Sequence, residues 1–310
     1  MNNKRDYTID SITDYIKALK EIKDIEKNEL WFRGHNKASW YLVPTLYREN
    51  RCFETTDRYG TPISPIAKTF HLKGQEVRFP DQFLMLESFK EAIVENNLNP
   101  SFQMNDIEWL CFAQHYGMPT SLLDWSEDPL VGLFFAVDGI TVTNGGEELN
   151  DEARIYVLNP SVYNEKYCNL RIVTEDGKTK GASEPFIITD DNYQVFVDYI
   201  KNDYYLPVCI KTNKVGYRMC RQSGNFMLFS SQIQPLDTYS SSAINEFMYT
   251  IHIPYKVITN FTNYLEALNL NKSSIYGDNA PLDDIGQKVK ENGDRQIKAI
   301  VDTIKNSFMK

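Results

Sequence analysis

Two short segments concentrate the side chains that can do chemistry. The first is Trp31–Phe32–Arg33–Gly34–His35. In an extended strand alternate side chains share a face, so Trp31 and Arg33 lie together and Phe32 points the other way. A guanidinium beside an indole is held rigid, and its planar fork matches two oxygens of a phosphate or pyrophosphate. Gly34 leaves room for a ligand to approach the backbone. The competing reading is an internal ion pair, with a carboxylate such as that of Asp124 as partner.

The second segment runs from Gln114 to Ser126, QHYGMPTSLLDWS. Polar groups packed this densely against apolar neighbours must pair or bind something. On a strand from Thr120, the residues Thr120, Leu122 and Asp124 share one face. The positive end of the helix that follows lies near Ser126 and Asp128 and can hold an anion. The alternative is a structural hydrogen-bond network joining helix, strand and helix. A Ser126–His115–Asp124 triad is a further arrangement, but no nucleophile-elbow pattern surrounds the serine. His115 is the general acid–base candidate, because an imidazole titrates near neutrality when partly exposed. A third run places Arg218, Arg221 and Gln222 on a turn ending at Gly224, which reads as a ligand-approach loop or as the polar edge of a hairpin. His71 and His252 stand alone and read as structural or solvent-facing.

The elements that must position these residues follow from periodicity. Residues 9–27 have apolar side chains at helical spacing, capped by Asp10 or Ser11. Residues 29–34 form a short strand. Residues 45–80 are loop-rich and carry Arg48, Arg51, Arg58, Lys68, Lys73 and Arg78, the most basic stretch and a candidate lid. Helices are expected over 81–97 and 105–116, the latter stopped by Gly117 and Pro119. A strand at 120–125 leads to a helix at 126–138, with Ser126 as N-cap and Pro129 in the first turn; its nearly uniform apolar content predicts burial. After a polar turn at 141–152, strands dominate to about residue 260, with a helix within 189–203. A helix then follows Pro254, and a final helical stretch, 282–308, is interrupted near Gly293. This order predicts an α+β fold with a mixed, largely antiparallel sheet flanked by helices.

The 310 residues carry a net charge of −9, which gives no general attraction to phosphate backbones. A general nucleic-acid surface is therefore excluded, although an RNA target at one site is not. Five cysteines without C-x-x-C spacing argue against zinc and for reduced, mostly buried thiols, so no metal is expected. With no apolar signal core and no run of about 18 apolar residues, the expectation is a cytoplasmic protein with no membrane partner.

At Phe32–Arg33–Gly34 the sequence resembles the FRG-domain family. The likeness continues through Trp40, Leu42 and Pro44 and is densest in HYGMPTSLLDWSEDPLVGLFFA. It returns at Arg218, Gln222, Gly224 and Phe226, at Ile253–Pro254 and, more weakly, at Leu282–Asp283. It spans about residues 10–290 and implies one FRG-type domain over 1–310, with 282–308 as its C-terminal helix. Ser121 stands where the family usually has Arg. The family is associated with bacterial and phage conflict, and its layout resembles the ADP-ribosyltransferase fold. That resemblance implies NAD held by Arg33. Thr120 or Ser126 would take the Ser/Thr role, Tyr116 or Trp125 would stack on nicotinamide, and Trp31, Gly34, Gln222 and Gly224 would line the site. The superfamily's catalytic glutamate has no counterpart: residues 218–229 offer Gln222, no E-x-E or Q-x-E occurs, and Asp124 is the nearest alternative carboxylate. Three functions follow: an NAD-directed effector, a non-catalytic sensor of a small nucleotide or a protein partner, and a toxin that uses residues 48–78 on nucleic acid.

Overall fold

The computed structural model describes residues 4–48, 70–72, 75–77, 81–140, 151–168, 170–173, 179–181, 183–201, 206–214, 216–230, 235–277 and 280–308. In chain order the strands are β1 (Asp6–Thr8), β2 (Trp31–His35), β3 (Phe70–Leu72), β4 (Gln75–Val77), β5 (Leu122–Ser126), β6 (Glu152–Leu158), β7 (Arg171–Val173), β8 (Thr179–Gly181), β9 (Phe186–Ile187), β10 (Val208–Lys211), β11 (Gly224–Leu228) and β12 (Met248–Pro254). The helices are α1 (Ile12–Ile25), α2 (Gln82–Glu95), α3 (Asp106–His115), α4 (Pro129–Val137), α5 (Pro160–Tyr167), α6 (Tyr193–Lys201), α7 (Tyr217–Arg221), α8 (Ser241–Phe247), α9 (Ile258–Ala267), α10 (Lys272–Tyr276) and α11 (Ala280–Phe308).

Eight strands form one open sheet in the order β1-β12-β6-β2-β5-β11-β10-β9. Its outermost pairs, β1–β12 and β9–β10, are parallel, and the others are antiparallel. This is the mixed, largely antiparallel α+β arrangement expected. β3–β4 and β7–β8 are separate hairpins. Alternation along the strands supplies two apolar faces. Ala153, Ile155 and Val157 of β6 and Tyr249, Ile251 and Ile253 of β12 pack with α1, α4 and α9. Trp31, Tyr156 and Leu158 face α2, α3, α5 and α6. The sheet is thus the middle of three layers.

Local sequence explains most boundaries. Asn105 caps α3 and Glu108 returns the bond in a capping box. Gly117 adopts φ +93° beyond its end. Ser11 caps α1 and Asp81 caps α2. α4 starts differently from expectation: Ser126 is the last residue of β5, and the cap is Asp128, whose carboxylate accepts from the Leu130 amide at 2.8 Å. α11 runs unbroken through Gly293, where an interruption was expected; one glycine costs a helix only about 1 kcal/mol relative to alanine. Residues 217–221, read as a turn, are the short helix α7.

Most of the basic 45–80 stretch, with the lid assigned to it, lies outside the described residues. Cys52 lies there too, and the other four cysteines are free thiols. No helix among the described residues is long and apolar enough to cross a membrane.

Candidate functional site

The sheet comes apart between two of its central strands. β2 stays in register with β6 from Trp31–Leu158 to His35–Arg154, and β5 with β11 from Leu122–Leu228 to Ser126–Gly224. Between β2 and β5, Phe32–Ser126 is the one registered pair. Arg33 bridges the gap beyond it. Its Nη1 donates to the main-chain oxygen of Asp124 at 2.7 Å and lies 3.0 Å from Asp124 Oδ2. Its Nε donates to His35 Nε2 at 3.1 Å. Nη2 has no hydrogen-bond partner among the described residues. The internal ion pair anticipated as the alternative for Arg33 is therefore present, and it sits at an opening in the sheet.

That opening is a cleft of about 200 Å³. β2 and its continuation contribute Arg33, Gly34, His35 and Asn36; β5 contributes Asp124, Trp125 and Ser126. His115 at the end of α3 and Gln222 and Gly224 beside β11 also line it. Phe135 and Asp138 at the end of α4 and Tyr276 at the end of α10 complete the wall, with Trp40 and Arg48 from the segment after β2.

Two glycines bring α4 onto β2. A Cβ at Gly34 would fall 2.2 Å from the Ala136 nitrogen and 2.3 Å from the Gly132 oxygen, and one at Gly132 would fall 2.7 Å from Phe32 Cβ. The room expected for a ligand at Gly34 is thus taken by the backbone of α4, although Gly34 still borders the cleft.

Asp124 is the charged centre of the site. Arg33 is 10% exposed and Asp124 41% exposed, through the cleft. Gln114 Nε2 donates to Asp124 Oδ1 at 3.1 Å. Burial pushes the Asp124 carboxyl up, but the Arg33 charge, with His115 and Arg48 behind it, holds it at about 2. Asp124 is therefore a carboxylate at any physiological pH. His115 goes the opposite way: burial and the Arg218 charge outweigh Asp124 and lower it to about 4, so the ring is neutral at pH 7. Its Nε2 is buried with no hydrogen-bond partner. Burial, then Arg33 and Arg48, also hold His35 well below the usual imidazole range. That fits its role, because Nε2 can accept from Arg33 only while unprotonated.

The other anticipated residues divide into two groups. Ser126, Trp125, Gln222 and Gly224 border the cleft. Ser126 Oγ donates to the Gln222 carbonyl at 2.7 Å and accepts from the Asp128 amide at 2.9 Å, so its proton is directed away from His115 and the triad arrangement is not formed. The Trp125 indole is 2% exposed and its Nε1 lacks a partner. Trp31, Tyr116 and Thr120 do not reach the cleft. Trp31 is fully buried and donates to Glu29 at 2.6 Å. Tyr116 packs beneath the Arg218 guanidinium, and Thr120 donates to Gln114 Oε1, bracing the amide that holds Asp124. Ser121, in the position of the family's Arg, is buried and bonded both ways to Gln82: its amide donates at 2.9 Å and its Oγ accepts at 3.0 Å.

Asn36, Trp40, Arg48, Phe135, Asp138 and Tyr276 were missed as site residues. Phe135 lay inside the densest motif, unrecognised because neighbouring apolar residues on one helix look alike. Tyr276 had no local signal, since it arrives from 150 residues beyond Ser126 in the chain.

Residues 28–144 match the family model of the FRG domain. No curated protein and no solved structure matches the chain. The matched stretch holds Arg33, His115, Asp124 and α4, while Gln222, Gly224 and Tyr276 lie outside it. With its Phe32–Arg33–Gly34 strand and the block from His115 to Phe135 inside that stretch, the chain carries an FRG domain.

Proposed function

We propose that the split between β2 and β5 binds the nicotinamide–ribose end of an NAD-like nucleotide. In this reading the protein is an ADP-ribosyltransferase-like or NAD-cleaving effector, working as a toxin or defence component in bacterial and phage conflict. One observation carries the reading: Asp124, paired with Arg33, faces an aromatic-walled cleft beside a guanidinium nitrogen that has no partner among the described residues. A carboxylate in that position favours a cationic ring or a sugar carbon on which positive charge develops. Arg33 Nη2 suits a phosphate oxygen at the mouth. Sites for drug-sized ligands occupy roughly 300–1,000 Å³, so a cleft of about 200 Å³ takes a head group and leaves the remainder of a dinucleotide outside.

Chemically, the bond between the ribose carbon and the nicotinamide nitrogen breaks, and its electron pair leaves on nicotinamide. Water or an acceptor nucleophile supplies the new bond to that carbon and loses a proton. Asp124 opposes the charge on the carbon, and the proton passes to water. Prolonged incubation with NAD should release nicotinamide, measured chromatographically, and Asp124→Asn should reduce the rate at least 100-fold. Equal rates in the two proteins would overturn the role of Asp124.

A second reading is a binding module that senses a nucleotide or a partner without turnover. It is favoured by the Arg33–Asp124 pair being closed already and by the lack of a glutamate among the described cleft residues. Binding of NAD without release of nicotinamide selects it.

A further inference from the structure

Arg218 lies behind the cleft, and its guanidinium joins three segments to α7: the ends of α3 and α10 and the start of α11. Nε donates to the Tyr276 carbonyl at 2.5 Å, and Nη1 donates to the His115 carbonyl at 2.6 Å. Nη1 and Nη2 grip Asp283 Oδ1 and Oδ2 at 2.6 and 2.7 Å. The guanidinium carbon lies 4.8 Å from the Tyr116 ring centroid and 6.0 Å from that of Tyr276. Both carbonyls belong to the last residues of helices, α3 and α10, where main-chain oxygens lack helical partners and a cation is favoured.

The two residues held by their backbones, His115 and Tyr276, both line the cleft together with Asp124. Gln222, one turn further along the same segment as Arg218, lines the cleft as well, and its amide donates to the Arg218 carbonyl at 2.9 Å. α11 is locked to this arrangement from its first turn by Asp283. Its Gly286 lies so close to α3 that a Cβ would fall 1.7 Å from the Tyr116 oxygen.

We propose that Arg218, aimed by Asp283, is the positioning residue of the cleft: it fixes the main chain of His115 and Tyr276, whose rings line the cleft with Asp124. A fold staple of equal strength could join any helices. This one ends on two cleft residues that come from separate helices, α3 and α10. Lysine keeps the charge but has no planar fork, so it cannot serve both carbonyls and the carboxylate together.

The test compares wild type, Arg218→Lys and Asp283→Asn below their melting transitions. It reads the His115 imidazole resonances in histidine-labelled protein, assigned with His115→Gln, and the affinity for nicotinamide mononucleotide. The affinity arm rests on the nucleotide reading; the resonance arm does not. Arg218→Lys should move the His115 resonances and weaken binding at least 10-fold, with Asp283→Asn changing both less and in the same direction. A lower melting temperature with His115 resonances and affinity at wild-type values overturns the proposal and leaves a staple. Should Arg218→Lys fail to fold, Asp283→Asn decides by the same criterion. Should wild type bind no nucleotide, the nucleotide reading fails and the resonances alone decide this one.

Discussion

Two arginines, each paired with an aspartate, differ in how many of their donors are used. Arg218 uses Nε and both terminal nitrogens on two carbonyls and a bidentate carboxylate, at 2.5–2.7 Å. Arg33 uses Nε and Nη1 only, its aspartate is held through one oxygen, and the pair opens onto a cleft. The two aspartates are about equally exposed, 43% for Asp283 and 41% for Asp124, so the guanidinium makes the difference: a saturated one holds structure together, whereas one with a nitrogen left over in a cleft can still meet a ligand. What separates them is which donors remain after folding, a quantity that residue type alone does not reveal.

The contrast can be broken at four points. Arg218→Ala should cost the most stability, about 2–3 kcal/mol, because it leaves two helix-end carbonyls without a donor and unties α11 from α3 and α10. Urea unfolding measures it, and a loss below about 1 kcal/mol would show that Arg218 is not saturated in solution. Arg33→Ala should cost less, about 1–2 kcal/mol, since Asp124 keeps Gln114 and access to water. If instead it destabilises more than Arg218→Ala, the ranking of the two sites is wrong.

The remaining two concern pH. His115 is lowered to about 4, below the ordinary 6.5, so its contribution to stability is complete above pH 6.5 and is lost as pH falls toward 4. His115→Gln should flatten the stability profile across that interval, and an unchanged slope would mean the ring is not buried neutral. Asp124 at about 2 is depressed from 3.8, so its contribution is present above pH 3.8 and disappears as pH falls through 2. Solvent access reduces the amount to about 1 kcal/mol. Asp124→Asn should remove that acid limb, and a variant whose acid unfolding matches wild type would show that the ion pair contributes nothing.

The sequence made one half of the site legible and left the other half dark. Arg33, His115 and Asp124 lie in segments where polar residues crowd into apolar strands and helix ends, a pattern that demands partners. Trp31, Tyr116 and Thr120 belong to the same segments yet turn into the core or onto Gln114. Local alternation could not show this, because the opening between β2 and β5 is set by pairing between distant segments. Tyr276 depends on α10, a five-residue helix whose place beside the cleft is set by Arg218. The sheet strands from β2 onward were legible as apolar runs, but their order in the sheet was not, because strand pairing joins segments far apart in the chain. The cap of α4 was not, because Ser126 and Asp128 are both good caps and the strand claimed the serine.

Calorimetric titration of NAD into wild type and into Arg33→Ala tests most directly whether the opening beside Arg33 is a ligand site. Saturable binding to wild type, at least 10-fold weaker in the variant, is the outcome that follows from the geometry. Absence of heat in both proteins, or equal affinities, would contradict it.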